Sequence, residues 1–136
     1  MSEGLMKKTL KSGRGFTLVE ILIAVFILAV ALIGLISVTV MIIKSNDFSR
    51  RMTTATTLAK DKLEQVKRLP YNNVASGVTT DYFNADSSAG STGAYFTRII
   101  TVTSNTPAAN MKTVEVRVQW TWGGTRHVTL RTIIGA

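Results

Sequence analysis

Apolar residues in this chain are gathered rather than scattered. Positions 21–43 form a run of 23 residues without a single charge. At 1.5 Å per residue that run makes roughly 34 Å of helix, more than the ~30 Å hydrocarbon core of a bilayer. From Lys44 the chain turns polar, yet it meets neither glycine nor proline until Pro70. Across this polar stretch Met52, Ala55, Ala59, Leu63 and Val66 recur at steps of three or four, the spacing of one helical face. Glu64 and Arg68 stand four apart in the favourable order. Leu69 precedes Pro70 and is pushed out of the α region, which ends the element. The pattern predicts one α-helix over 16–69, membrane-spanning in its first half (16–43) and amphipathic in its second (44–69).

Residues 70–94 are rich in Asn, Ser, Gly, Thr and Ala and read as an irregular loop. Strand signals follow. Positions 95–104 are β-branched and aromatic, and 105–110, with Pro107, form a turn. Across 111–122 the residues alternate: Val114, Val116, Val118, Trp120 and Trp122 fall on one face, and Glu115, Arg117, Gln119 and Thr121 on the other. Gly123-Gly124 is a hairpin turn, and 127–134 alternates again through Val128, Leu130 and Thr132. The expected fold class is α+β, a long N-terminal helix packed on a three-stranded antiparallel sheet over 95–136. Such a sheet needs a cover, and the 52–66 helix face is the candidate the chain offers.

Composition changes this picture in two places. The chain of 136 residues contains no cysteine, which excludes disulfides, thiolate metal sites and a cysteine nucleophile. Its net charge is +8, but Lys7, Lys8, Lys11 and Arg14 all precede the apolar run. Losing residues 1–15 removes those four and Glu3, which leaves +5. A basic leader before a membrane helix accords with positive residues staying cytoplasmic, a simpler account than nucleic-acid binding.

The junction of leader and apolar run carries the most specific signal. It reads Gly15-Phe16-Thr17-Leu18-Val19-Glu20. A glutamate at the fifth position of a membrane helix costs about 2–3 kcal/mol in isolation. It either snorkels to the interface or needs a cation. A cut after Gly15 would free an α-amine on Phe16, and the amine of a neighbouring subunit could serve. This segment closely resembles the class III signal of type IV pilins and pseudopilins, over about residues 13–35. The resemblance implies a pilin-like fold, cleavage after Gly15 by a prepilin peptidase that also methylates Phe16, and Glu20 as the assembly glutamate. It implies as partners other pilin subunits, the prepilin peptidase/methyltransferase, an inner-membrane assembly platform and, before assembly, the lipid bilayer. The implied location is the inner membrane, single-pass with the C-terminal domain periplasmic, and then a filament. Ala31-Leu32-Ile33-Gly34-Leu35, the 58–64 segment and the valine-tryptophan strand look like the pilus-modification group of minor pilins. Ser37 stands where many major pilins have proline, and the C-terminal disulfide loop of many is missing, both in the direction of a minor subunit.

Other readings compete. Ala29-Val30-Ala31 has the form of an ordinary secretory cleavage site, but 32–43 is again continuously apolar and would hold the new N-terminus in the membrane. No enzyme, cofactor or metal constellation emerges: His127 is the sole histidine, Asp81 and Asp86 are too loosely spaced for an acid/base pair or calcium loop, and the glycines near 90–93 lack the lysine and helix of a phosphate loop. Arg98, Lys112, Arg117, Arg126 and Arg131 read as a solvated outer sheet face; as a DNA-binding patch they would need stacking from Tyr95, Trp120 and Trp122, and the tryptophans fall on the valine face. The sequence is thus expected to encode a structural, minor-type pilus subunit. The alternatives are a minor pseudopilin of a type II secretion system, a membrane-anchored periplasmic domain that never polymerises, and a DNA-binding pilus subunit.

Overall fold

The computed structural model describes residues 15–136. The basic leader residues Lys7, Lys8, Lys11 and Arg14 lie outside the described residues. The chain has the α+β architecture expected, in the order α1 (Leu18–Lys67), a 3-10 turn (Tyr71–Asn73), β1 (Gly77–Phe83), β2 (Phe96–Ser104), β3 (Met111–Thr121) and β4 (Thr125–Gly135). Its contacts separate two units, one ending at Ile42 and one spanning Ile43–Ala136.

Helix α1 begins and ends two residues inside the expected bounds, and local chemistry explains both ends. Thr17 serves as the N-terminal cap, as described below. At the other end the Arg68 N–H donates to Gln65 O at 3.2 Å and the Leu69 N–H to Val66 O at 3.1 Å. These shorter-range bonds tighten the last turn before Pro70.

In the second unit the helix covers one face of the sheet. Ala55, Leu58, Ala59, Leu63 and Val66 are buried against Phe96, Ile100, Val102, Val114, Val116, Val118 and Trp120. The two alanines are fully buried, within the core that α1 shares with the valines of β3. Met52, expected within this face, is 47% exposed, and Phe48 one turn earlier packs on the core instead. Arg51 fastens this end: its guanidinium is ion-paired to Asp47 at 2.8 Å and lies 4.5 Å from the Tyr95 ring centre and 4.6 Å from that of Trp122.

The sheet has four strands rather than three, all antiparallel, in the order β1-β2-β3-β4. The added strand, β1, lies inside the expected 70–94 loop. It is an edge strand, mostly exposed, and its apolar Val78 faces outward, so it lacks the inward alternation that marks β2 and β3. It pairs with β2 over seven residues, and one charged pair joins the two strands through side chains. Asp81 stands opposite Arg98 in the ladder, and Arg98 donates from Nη2 and Nε to Asp81 Oδ2 at 2.6 and 3.1 Å. Gly123 and Gly124 join β3 to β4 with φ of 56° and 130°, conformations that glycine adopts without steric cost.

The basic residues of the sheet do not share one outer face. Arg98 is 7% exposed, on the helix side, in phase with Phe96 and Ile100. Its Nη1 donates to the Leu58 carbonyl at 3.0 Å, and its guanidinium lies 4.5 Å from the Phe83 ring centre. Lys112, in phase with Val114, donates from Nζ to the carbonyls of Tyr71 and Val74 at 2.9 and 2.7 Å. Both cations therefore tie separate segments together. Arg117 and Arg131 do face outward, around Glu115 at 3.5 and 2.8 Å.

Candidate functional site

Gly15, Phe16 and Glu20, singled out from the sequence, lie within little more than one helical turn. Gly15 and Phe16 precede α1, and Phe16 is 78% exposed. A Cβ built on Gly15 meets no atom within 4 Å, and its backbone is outside the left-handed region. Folding therefore does not require glycine here. A requirement for glycine at this position has to come from something that grips the chain from outside.

Thr17 is a residue whose part the sequence reading overlooked. The Glu20 N–H donates to Thr17 Oγ1 at 3.2 Å and the Ile21 N–H to Thr17 O at 3.2 Å. Thr17-Leu18-Val19-Glu20 has the Thr-x-x-Glu spacing of a capping box, which was the signal available. Glu20 occupies the first turn of α1, where a carboxylate interacts favourably with the helix dipole by ~0.3–1 kcal/mol. That local benefit is smaller than the cost of placing the charge in a membrane. Among the described residues no cation pairs with Glu20.

The helix that follows is apolar on every side. From Leu18 to Ile43 its large apolar side chains are all exposed, and none of the described residues covers this surface. The two hydroxyls within it are satisfied locally: Ser37 Oγ donates to Ile33 O at 3.1 Å and Thr39 Oγ1 to Leu35 O at 2.9 Å. Such back-bonding removes the penalty of a free hydroxyl in hydrocarbon. Ser37 lies in unbroken helix, at the position where a proline would remove a main-chain bond. The helix is long and apolar enough to cross a membrane.

The other residues raised by sequence do not gather into a reactive site. His127 is exposed on β4, and Asp81 is committed to Arg98. Asp86 accepts from the Ser88 hydroxyl and the Ser88 N–H at 2.6 and 3.0 Å, which holds its carboxyl below the ordinary value of 3.8. This is the local chemistry of a turn. With Arg98, Lys112 and Arg126 in phase with the helix-side residues, the outer face keeps only Arg117 and Arg131 of the five cations a nucleic-acid patch would have used.

Residues 10–36 match the family model described as the prokaryotic N-terminal methylation motif. The matched segment contains Gly15, Phe16, Thr17 and Glu20 and continues well into the apolar half of α1. No curated protein and no solved structure gives a match. The chain thus carries the class III signal of type IV pilin-like and pseudopilin precursors, on a helix with the length and apolarity of a membrane anchor.

Proposed function

We propose that this protein is a structural, minor-type subunit of a type IV pilus or pilus-like filament. A prepilin peptidase cuts it after Gly15 and methylates Phe16, and other pilin subunits receive its apolar helix in the filament core. The observation that carries this reading is the methylation motif running without a break into a helix that is apolar all round and uncovered. A bilayer covers that surface before assembly, and neighbouring helices cover it afterwards. Glu20, unpaired among the described residues, finds its cation in the α-amine of a neighbouring Phe16. The Ile43–Ala136 unit faces the periplasm while the helix is anchored in the inner membrane, and is displayed on the filament once drawn in by the assembly platform.

The minor-subunit part of the reading rests on Ser37, which keeps the helix regular where many major pilins carry proline, and on the absence of cysteine. The same motif would serve a pseudopilin of a type II secretion system, and genomic neighbours discriminate the two. Mass spectrometry of the mature N-terminus tests the processing step. The expected chain begins at Phe16 and carries one methyl group; a retained leader, or a chain beginning at Leu32, contradicts the reading.

A further inference from the structure

Strand β4 ends the sheet on one side, and its far edge is open. The Trp122 N–H donates to the Gly124 carbonyl at 2.8 Å and the Ala136 N–H to the Asn110 carbonyl at 3.1 Å, at the two ends of the β3–β4 ladder. Bonded and non-bonded positions alternate along an antiparallel pair, so the even-numbered residues of β4 direct their main-chain groups to β3. The N–H and C=O groups of Thr125, His127, Thr129, Arg131 and Ile133 therefore point away from the sheet. No main-chain group among the described residues bonds to them. The opposite edge, β1, differs: the Gly90 N–H donates to Tyr82 O at 2.8 Å and Ala89 bridges to Phe83, which covers its end. Proteins commonly blunt an edge by shortness, proline or a bulge. β4 has none of these, since it runs 11 residues, contains no proline and keeps an unbroken register with β3.

The side chains flanking this edge define what fits it. Towards the helix, Val128 and Leu130 are half-buried, while Val118 and Val116 opposite them on β3 are fully buried. The core is thus unfinished on the β4 side, where Phe48 and Met52 of α1 line a groove with Arg126. The charge of the edge has one sign. β4 holds no Asp or Glu, Arg126 pairs with no carboxylate among the described residues, and on the outer face Arg117 and Arg131 share Glu115. A second copy brings no complement: the carboxylates of this chain's own strands, Asp81 and Glu115, are already paired. We propose that the β4 edge is a docking site for an extended, acidic segment of a different protein chain, which adds as a fifth strand. Its main chain bonds to the outward groups, its inward apolar side chains cover Val128, Leu130 and Met52, and its carboxylates pair with Arg126 and Arg131. The two arginines repel a like strand and select an unlike one. The inference stands on the Ile43–Ala136 unit alone and does not depend on cleavage or on the fate of the N-terminal helix.

The test titrates the full chain in detergent with short fluorescein-labelled peptides that alternate valine with threonine, one carrying two glutamates and its counterpart two lysines. Fluorescence anisotropy should show the glutamate peptide binding about tenfold more tightly, and Arg126→Glu should remove most of that preference. Amide exchange of His127, Thr129 and Arg131 should slow when the glutamate peptide is bound. Thr129→Pro deletes one outward N–H and leaves the bonds to β3 in place, so near-UV circular dichroism should be kept while binding falls about tenfold. Thr80→Pro is the matched change on the other edge, where the Tyr82 carbonyl two residues on points outward, and should leave binding unchanged. Equal affinity for the two peptides, an equal loss in Thr80→Pro, or no binding by a folded chain overturns the proposal. A dimer in sedimentation that Thr129→Pro abolishes assigns the edge to a second copy and overturns it as well. Should Thr129→Pro unfold, Arg126→Glu and the exchange pattern decide the matter.

Discussion

Replacing Asp81 by Asn separates charge from shape at the ion pair that joins β1 to β2. Arg98 reaches Asp81 with two nitrogens and the Leu58 carbonyl with a third, and its side chain is 8% exposed against 31% for Asp81. The pair is thus half sheltered, so the full 3–5 kcal/mol cost of orphaning a buried charge does not apply. Asn keeps one acceptor in place and loses the ionic part of two hydrogen bonds. Charge-assisted bonds contribute roughly 1.5–3 kcal/mol, and partial solvent access discounts that to about 2 kcal/mol. For a domain of this size each kcal/mol moves Tm by ~4–8 °C, so Asp81→Asn should lower it by about 8–16 °C. Near-UV circular dichroism of the full chain in detergent reads this, because Trp120 sits in the core while α1 dominates the far-UV signal. Arg98→Met is the companion variant. It removes the buried cation and leaves an apolar side chain of similar length among Phe96, Ile100 and Leu58, so it should cost less than Asp81→Asn. A Tm change under about 3 °C in Asp81→Asn, or a larger loss in Arg98→Met, would refute the claim that an uncompensated buried charge governs this contact.

Three further outcomes follow from the site and the turns. Gly15→Val should accumulate as a membrane-bound precursor with the leader attached and an unchanged Tm, since the fold leaves open space at that Cβ; normal processing on an immunoblot would argue against a prepilin peptidase. Thr17→Ala removes the cap at Glu20 N–H and should cost about 1 kcal/mol, confined to the first turn of α1; amide exchange of Glu20 and Ile21 should rise while β3 stays protected. The Asp86–Ser88 turn depends on a carboxylate whose folded pKa is depressed, so its contribution is present above the ordinary value of 3.8 and is lost only as pH falls through the lower folded value. The Ser88 amide resonance should therefore hold its position through mild acid, and a shift that tracks an ordinary aspartate titration would contradict the turn geometry.

The parts of the fold legible in the sequence are those where packing imposes a period. β3 alternates because one face meets α1, and the 55–66 stripe of α1 repeats because it meets β3. β1 gave no such signal: it lies at the sheet edge with few buried side chains, and Asn, Ser and Gly flank it. Arg98 and Lys112 sit in phase with their apolar neighbours, but charge is a strong outward prior, and only a carboxylate or carbonyl brought from elsewhere in the chain could offset their burial. Aligning β1 with β2 would have been needed to see Asp81 opposite Arg98. The N-terminal residues were legible for a different reason. Their pattern matches the methylation motif, while nothing in the fold demands glycine at position 15.

The proposed role of Glu20 in joining subunits is read by recovery of the mature chain in filaments sheared from cells. Glu20→Gln keeps the side chain's shape and the Thr17 cap, whose acceptor is the Thr17 hydroxyl, but removes the charge. A membrane monomer loses nothing by this and is relieved of an expensive carboxylate, whereas an assembled bundle is left with an unpaired α-amine in a low-dielectric setting, a penalty of several kcal/mol. The expected result is a Glu20→Gln chain cut after Gly15, folded and retained in the membrane, and strongly depleted from the sheared fraction. Wild-type recovery of that variant in filaments would contradict the assembly role of Glu20.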